Sequence, residues 1–580
     1  MEREVKTCQN CKKEFVIYPE LANFCASIKV PTPTFCPDCN HQQREMFRNE
    51  RALYRRPESL NGENVISIYS ADKDLTVYKQ EYWRGDGWDP LDYGKDYDFS
   101  RPFFEQLRDL MKAVPEPAIT NWNATNSEYC SNTTDNKNCY LVFGGDFNED
   151  CSYGYMNFHS RDSMDLYWVD KLELAYECTD TDNSFRVAFC QNTLNSTDSM
   201  FLYDCVNCNH CLGCVGLRNK QYHIWNQPYS KEEYEKEIAE INLSSFSGLQ
   251  LASAKFKELK NGSPRKYADI FKSVNCTGNY LQEGKNSRNC YECYSGSENC
   301  GDLFLAGWNI KDSYNSDHVG YGSELIYNSH IIFSQAHRVF FSALSPTSHD
   351  VQYCYNINTC SNCFGCVGIK NKSYCIFNKE YSKEDYERLV PKIIEHMNAM
   401  PYVDKVGRVY KYGEFFPPDF SFFAYNESKA QEFYPLSKEE ALQMGFAWKD
   451  AEEKSYSVDI RPSELPDDIK DVADDILSRN IGCAHEGKCN QQCTTAFRII
   501  PSELSLYRRL NLPLPRLCSN CRHYERMIQR NPMKTWHRAC MCDKSNHGHQ
   551  EKCSVEFETP YAPARPEIVY CEQCYNSEVV

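Results

Sequence analysis

The sequence predicts a mixed, β-rich fold: a duplicated β-solenoid-like middle built from short strands, flanked at both ends by treble-clef or zinc-ribbon modules. Three observations predict it. Paired cysteines near the two ends carry metal-ligand spacing, short aromatic units recur at 12-residue intervals between them, and both patterns occur twice at constant offsets.

The end modules come first because their chemistry is most specific. Cys8-x2-Cys11 is followed after 24 residues by Cys36-x2-Cys39, and Cys489-x3-Cys493 after 24 residues by Cys518-x2-Cys521. Cys11, Cys36 and Cys39 match Cys493, Cys518 and Cys521 at an offset of 482, as do Phe15, Pro19, Pro31, Pro33, His41, Arg44, Arg48 and Asn49 with their counterparts. Four thiolates satisfy a tetrahedral ion, and a CxxC turn places two sulfurs on one side of it. A small module gains folding energy from such an ion. A shell closed by four cysteines leaves no open position for catalysis. Pro37 and Asp38 after Cys36 read as a helix start.

A third site is expected beyond the second copy. Cys571 and Cys574 pair, Cys553 is the third ligand, and Cys540 or Cys542 is the fourth, with Cys542 taken into the ligand set; His547 and His549 lie nearby. The corresponding N-terminal stretch, 65–83, has Lys79 and Tyr82 in place of Cys571 and Cys574, so its shape must rest on packing, with Trp83 and Trp88 as core. The expectation is two to three structural zinc ions.

Arginines follow each second CxxC. Arg44, Arg48, Arg51 and Arg55 share one helix face at spacings of four, three and four, and Arg522, Arg526 and Arg530 repeat the pattern. Such a face meets phosphates. It can equally dock on the chain's own acidic middle. With 64 basic against 81 acidic residues and a net charge of −17, the whole molecule repels polyanions, so a nucleic-acid contact would need that local patch.

In the middle, units such as NCYLVF (138–143), DCSYGY (150–155) and DSMFLY (198–203) alternate large residues at period two, with Asn or Asp at the turn before each. Paired 12-residue units imply a solenoid coil of about 24 residues, each coil burying a face on the next. The array is doubled: 207–235 matches 359–387 at an offset of 152. Each copy ends in a helix capped by serine, SKEEYEKEIAEI and SKEDYERLVPKIIEHM, which covers the open end of the array. Cys205, Cys208, Cys211 and Cys214, echoed by Cys360, Cys363 and Cys366, resemble part of an iron–sulfur run. Packing along a coil corner is favoured, because the other middle cysteines also fall on repeat positions.

The chain therefore divides into a zinc module with basic helix (1–57), a degenerate half-module and connector (58–115), a first cysteine-rich array with its capping helix (116–242), a linker (243–265), a second array with its helix (266–398), a connector (399–480) and a region with two zinc sites (481–580). Within the connector, PLSKEEALQMGF reads as a short helix ending at Gly445, and 466–477 as an acidic amphipathic helix.

Composition bounds the setting. The 33 cysteines are an odd number in a long chain whose first residues are polar and charged, so reduced or metal-bound thiols in the cytoplasm are expected, with no membrane span.

The stretches VPTPTFCPDCNHQQREMFRNERALYRR, GWDPLDYGKDYDFSRPFFEQL, GLRNKQYHIWNQPYSKEEYE and LPRLCSNCRHYERMIQRNP, with CEQCY, resemble uncharacterised cysteine-rich zinc-ribbon proteins of ultra-small candidate-phyla bacteria. The resemblance covers most of the chain and implies a bacterial, cytoplasmic protein. It also implies a further cysteine set around 58–82, which this chain lacks.

Three functional classes follow. The first is a zinc-binding scaffold that presents its repeats to a protein or another macromolecule. The second is a protein that grips RNA or DNA with the arginine helices. The third is a solenoid enzyme acting on saccharides, for which Asp162, Asp165, Asp170 and Glu173 lie close in sequence. No P-loop, G-x-G-x-x-G, G-x-S-x-G or H-E-x-x-H is present, and no H-x-E accompanies the CxxC pairs, so no catalytic residue is assigned.

Overall fold

The computed structural model describes residues 4–450 and 457–579. Between Tyr155 and Pro228, and again between Ile270 and Glu380, short strands pair almost wholly in parallel. In the first array Met164 lies opposite Tyr176, Thr179 opposite Gln191, Thr197 opposite Asn209 and Cys211 opposite His223. The step is 12 residues, as in the Cys139 N–H bond to Ser127 Oγ. In the second array the step is 13 residues from Arg288 to Phe340 and 12 beyond His337. A 12-residue unit is thus one full rung, not half of a 24-residue coil.

The reason lies in the backbone. Asn132, Asp135 and Asn138 each have φ +54°, and left-handed residues recur at every third position through most of both arrays. Asn and Asp tolerate this region best among residues with a side chain. That is what the recurrent Asn or Asp before each unit does. These corner side chains also bond from rung to rung: Asn126 donates to Asn138 at 3.1 Å and Asn138 to Asp150 at 3.0 Å.

A bend at every third residue makes the buried positions recur at period three, not two. Ser127, Cys130, Thr133, Asn136, Cys139 and Val142 are all buried, as are Cys205, Cys208, Cys211 and Cys214. The interior mixes these small side chains with larger apolar ones such as Leu166, Leu172 and Leu202. The polar atoms of the small ones are satisfied locally: Ser196 Oγ donates to Leu194 O and accepts from Cys208 N. Each cysteine of the 205–214 run donates its thiol to backbone carbonyls, Cys205 for example to Tyr203 O and Cys214 O, both at 3.5 Å.

Each array ends in an antiparallel strand and a helix, Lys231–Ile241 and Lys383–Ala399. Ser230 accepts from Glu233 N while the Glu233 carboxylate accepts from Ser230 N; Ser382 accepts from Asp385 N. Tyr234 and Tyr386 pack their rings on Tyr222 and Tyr374 of the last rungs. The stretch expected as a linker instead contains the helix Phe246–Gly262, whose Phe256 packs on Phe201.

The aromatic connector is core rather than tether. Phe415, Phe416, Phe422 and Tyr425 are buried with Met46, Phe47 and Tyr355. The short helix Lys438–Gln443 is capped by Ser437, and the chain leaves it through Gly445 at φ +77°, where a left-handed residue is needed. The acidic stretch 466–477 forms two 3-10 turns, Ile469–Asp471 and Asp474–Ser478, rather than an amphipathic helix. Asp468 takes the N–H of Lys470 and so competes with helix formation.

The basic helices are also shorter than expected. They span Pro37–Glu45 and Ser519–Met527, so Arg48, Arg51 and Arg530 lie beyond them, and Arg55 sits in the strand Tyr54–Pro57. The docking is crossed. The first-module helix packs on the second array, with His41 stacked on Phe304 at 3.8 Å. The last-module helix packs on the first array, with His523 against Tyr155 and Tyr167.

The close-packed interior sets a stability test. Ser163 and Cys151 occupy successive rungs of one buried column, linked by Ser152 and Met164 pairing beside them. Cys151→Ser should change stability by less than about 1 kcal/mol, whereas Cys151→Phe should cost about 3 kcal/mol or more through overpacking. Urea unfolding of the two variants distinguishes them, and equal midpoints would contradict close packing around Cys151.

Candidate metal centres

Three cysteine quartets share one construction. In the first, Cys8 follows the strand Glu4–Thr7, Cys11 precedes the strand Glu14–Ile17 by three residues, Cys36 is the N-cap of the helix Pro37–Glu45, and Cys39 lies in its first turn. A helix start fixes the Cys36–Cys39 pair, with Pro37 preset for the first helical position. All four sulfurs lie within 4.8 Å of one another, and Cys11 Sγ is 3.8 Å from Cys36 Sγ. Tetrahedral thiolates at about 2.3 Å from an ion are separated by about 3.8 Å. Cys36 N donates to Cys8 Sγ at 3.3 Å and Asn10 Nδ2 to Cys39 Sγ at 3.3 Å. Hydrogen bonds from Cys36 and Cys39 hold the Cys8 thiol well below its ordinary pKa.

The second quartet is Cys483, Cys493, Cys518 and Cys521. Cys483 follows the strand Ile481–Gly482, Cys493 precedes Ala496–Phe497, and Cys518 caps the helix Ser519–Met527. Cys518 N donates to Cys483 Sγ at 3.3 Å, the same bond as in the first module. Spacing placed Cys489 here; the structure brings in Cys483, because the loop between the first two cysteines is longer in this copy. Cys489 lies at the edge, 3.7 Å from Cys521 Sγ, and groups with His485 and Cys521.

The third quartet is Cys540, Cys553, Cys571 and Cys574. Cys540 follows the strand Trp536–Ala539, Cys553 precedes Glu556–Thr559, and Cys571 caps the helix Glu572–Asn576. Cys571 N donates to Cys540 Sγ at 3.2 Å, and Cys553 Sγ is 3.9 Å from Cys571 Sγ. Cys540 therefore holds the place of Cys8 and Cys483. Cys542, the residue taken from sequence, instead contacts His547 at 3.2 Å and groups with His549 and Cys574.

The degenerate half-module keeps the frame without thiols. Glu58 follows the strand Tyr54–Pro57, Lys79 caps the helix Gln80–Arg84, and Lys79 N donates to Glu58 Oε2 at 3.0 Å. A carboxylate thus accepts the bond that a cysteine sulfur accepts elsewhere. Trp83 is buried there and donates to Pro115 O.

Of the two readings of the arginines, phosphate contact or docking on the chain's own acidic middle, most of them take the second. Arg44 bonds Asp317 with Nε at 2.5 Å and Nη2 at 3.0 Å. Arg48 pairs with Glu50. Arg522 meets Asp165 at 2.8 Å and Glu503 at 3.2 Å; Arg526 meets Asp165 at 2.9 Å and Glu177 at 3.1 Å. Arg530 reaches Asp180 in the first array and Glu292 in the second. Arg44, Arg48, Arg522, Arg526 and Arg530 are buried, Arg51 is half-buried under Phe143 and bonded to Asn520, and Arg55 alone of the seven is exposed. The carboxylates considered for saccharide chemistry are also engaged: Asp162 with Arg509, Asp165 with Arg522 and Arg526, Asp170 with His159, and Glu173 with Arg161.

The chain matches no known family model and no curated protein. Among the described residues, no helix is long and apolar enough to cross a membrane.

Sequence reasoning missed Cys483, preferred Cys542 to its alternative Cys540, and did not single out the carboxylates that receive the arginines. Cys483 and Cys540 could have been found from strand ends: each first ligand directly follows a short strand.

Two predictions follow from this geometry. Cys540→Ser should lower the metal content by one ion per chain while Cys542→Ser leaves it unchanged, read by elemental analysis; the reverse result would restore Cys542. Arg526→Ala should destabilise by about 2–4 kcal/mol, since it leaves Glu177 without its cation and the buried Asp165 with Arg522 alone. An unchanged denaturation midpoint would place Arg526 at a solvated surface.

Proposed function

We propose that the chain is a zinc-stabilised scaffold that presents two solenoid arrays to a protein partner, with treble-clef-like modules clamping the arrays together. The observation that carries this reading is the threefold recurrence of one cysteine frame, with sulfur separations of 3.8 and 3.9 Å that suit a tetrahedral ion. Thiolate quartets favour zinc among common cytoplasmic ions, and closed shells give it a structural role. The bacterial, cytoplasmic setting remains that of the resemblance drawn from sequence.

The solenoid reading is supported by a parallel register of 12 or 13 residues through most of both arrays and by left-handed residues at most third positions. Solenoids present long surfaces to partners. Stacked outer rings such as Trp308 on Tyr321, 4.8 Å apart and both exposed, offer such a surface. A protein partner is favoured over RNA or DNA because the arginine faces are spent on internal ion pairs and the net charge is −17. An enzyme is disfavoured because the clustered carboxylates of the first array already have cationic partners.

If metal holds the modules, a strong chelator should remove the ions and lower the unfolding temperature, and added Zn²⁺ should restore it. Calorimetry with and without chelator tests this. Metal loss with an unchanged transition would remove zinc from the scaffold's stability. Salt-sensitive binding to RNA or DNA at low ionic strength would overturn the choice of partner.

A further inference from the structure

A second kind of metal site lies where the first module meets the second array. His41 and Glu45 are four residues apart on the helix Pro37–Glu45, which sets both side chains on one face. That face covers a column of the array in which Phe304, Asp317 and His330 are successive rungs, with His318 beside Asp317. His41 Nε2 is 3.4 Å from Glu45 Oε1, and His318 Nε2 is 3.3 Å from the same oxygen. The three side chains are at most 3% exposed.

These separations do not come with hydrogen bonds. His41 Nε2, His318 Nε2 and both oxygens of Glu45 have no hydrogen-bond partner. The neighbouring cations are committed elsewhere, Arg44 to Asp317 and Arg48 to Glu50. Glu45 meets the two imidazoles only at ion-pair distance, and His41 Nε2 also lies 3.8 Å from Asp317 Oδ1; polar atoms buried without hydrogen bonds are costly unless something between them binds all three. Ligand atoms at about 2.1 Å from one ion, at tetrahedral to octahedral angles, stand about 3.0–3.4 Å apart. The observed distances fall in that range. Tyr434 OH lies 2.9 Å from His41 Nδ1, the outer-shell contact that fixes a ligating imidazole and leaves Nε2 free. His330, whose Nδ1 lies 3.5 Å from Asp317 Oδ2 and whose ring nitrogens make no hydrogen bond, stands edge-on to His318 at 5.3 Å and is the candidate for a further ligand.

The duplication supplies an internal control. At the 482 offset His41 becomes His523, but Glu45 becomes Met527. His523 rests on Tyr155 and Tyr167 and faces Glu432 at 3.4 Å. The arginine–aspartate contact persists there through Arg526 and Asp165. Docking a module on an array therefore does not itself require the His–Glu–His group.

We propose that His41, Glu45 and His318 bind a divalent first-row transition ion, such as Zn²⁺ or Fe²⁺, which fastens the first module to the second array. Two imidazoles and a carboxylate suit such ions, in contrast to the all-thiolate quartets. The cluster's burial makes the ion a structural clasp.

The test compares the full chain with Glu45→Gln and His318→Gln, each loaded with Co²⁺ alone and dialysed. Each variant should hold one ion fewer than the wild type, while the thiolate-to-cobalt charge-transfer absorption of the cysteine sites stays the same. Equal ion counts in folded variants would overturn the proposal. A crystal of the wild-type chain soaked in Co²⁺ gives a reading that needs no variant. An anomalous peak between His41, Glu45 and His318 supports the site, and peaks confined to the cysteine quartets overturn it.

Discussion

The architecture depends on buried arginine–carboxylate pairs that hold the first and second cysteine modules against the far array. Arg44 closes on Asp317 and Arg526 on Asp165, all out of water, and Arg526 also meets the partly buried Glu177. Arg530 goes further and joins Asp180 of one array to Glu292 of the other. Removing two charges from water is expensive, and only good geometry with several hydrogen bonds repays it. Arginine's planar fork supplies that geometry. The pairs also specify register, since each arginine must meet its own rung. Crossed docking then follows: the first module, first array, second array and last module fold into one interlocked body rather than two adjacent halves.

The cysteines divide into two populations by environment. In the end modules, helix N-caps and strand ends gather sulfurs into quartets, and a backbone N–H meets the first sulfur each time. Helix starts suit this because their free N–H groups and dipole stabilise negative sulfur. In the arrays, cysteine takes positions that serine and threonine fill on neighbouring rungs, and its thiol bonds to carbonyls. Burial raises the Cys130 thiol to about 12, which keeps it protonated and inert. Spacing alone does not separate these populations, because the 205–214 run and a CxxC pair look alike in one dimension.

Much of this was legible in the sequence. The CxxC pairs, both duplications, the serine-capped helices and the degenerate half-module stand in the structure where the residues place them. What sequence could not show was three-dimensional choice among near-equivalent residues. Cys489 was read as the partner of Cys493 from its C-x3-C spacing, but the longer loop carries Cys483 into the quartet. Cys542 and Cys540 differ by one position, and only the strand end before Cys540 distinguishes them. The period of three was hidden because the left-handed corners admit Leu141, Phe147 and Tyr153 as well as Asn and Asp. The arginine faces read equally as surface or as internal docking faces, because nothing local marks an ion pair whose partner is hundreds of residues away. The helix Phe246–Gly262 was read as a linker because the match between the two arrays stops before it.

The central claim is that the cysteine frames hold metal as part of the fold. It is tested most directly by element-resolved metal analysis of the chain isolated without added metal. The account predicts zinc in each of the three quartets, about three ions per chain with any His–carboxylate ion in addition. Less than one ion per folded chain would contradict it.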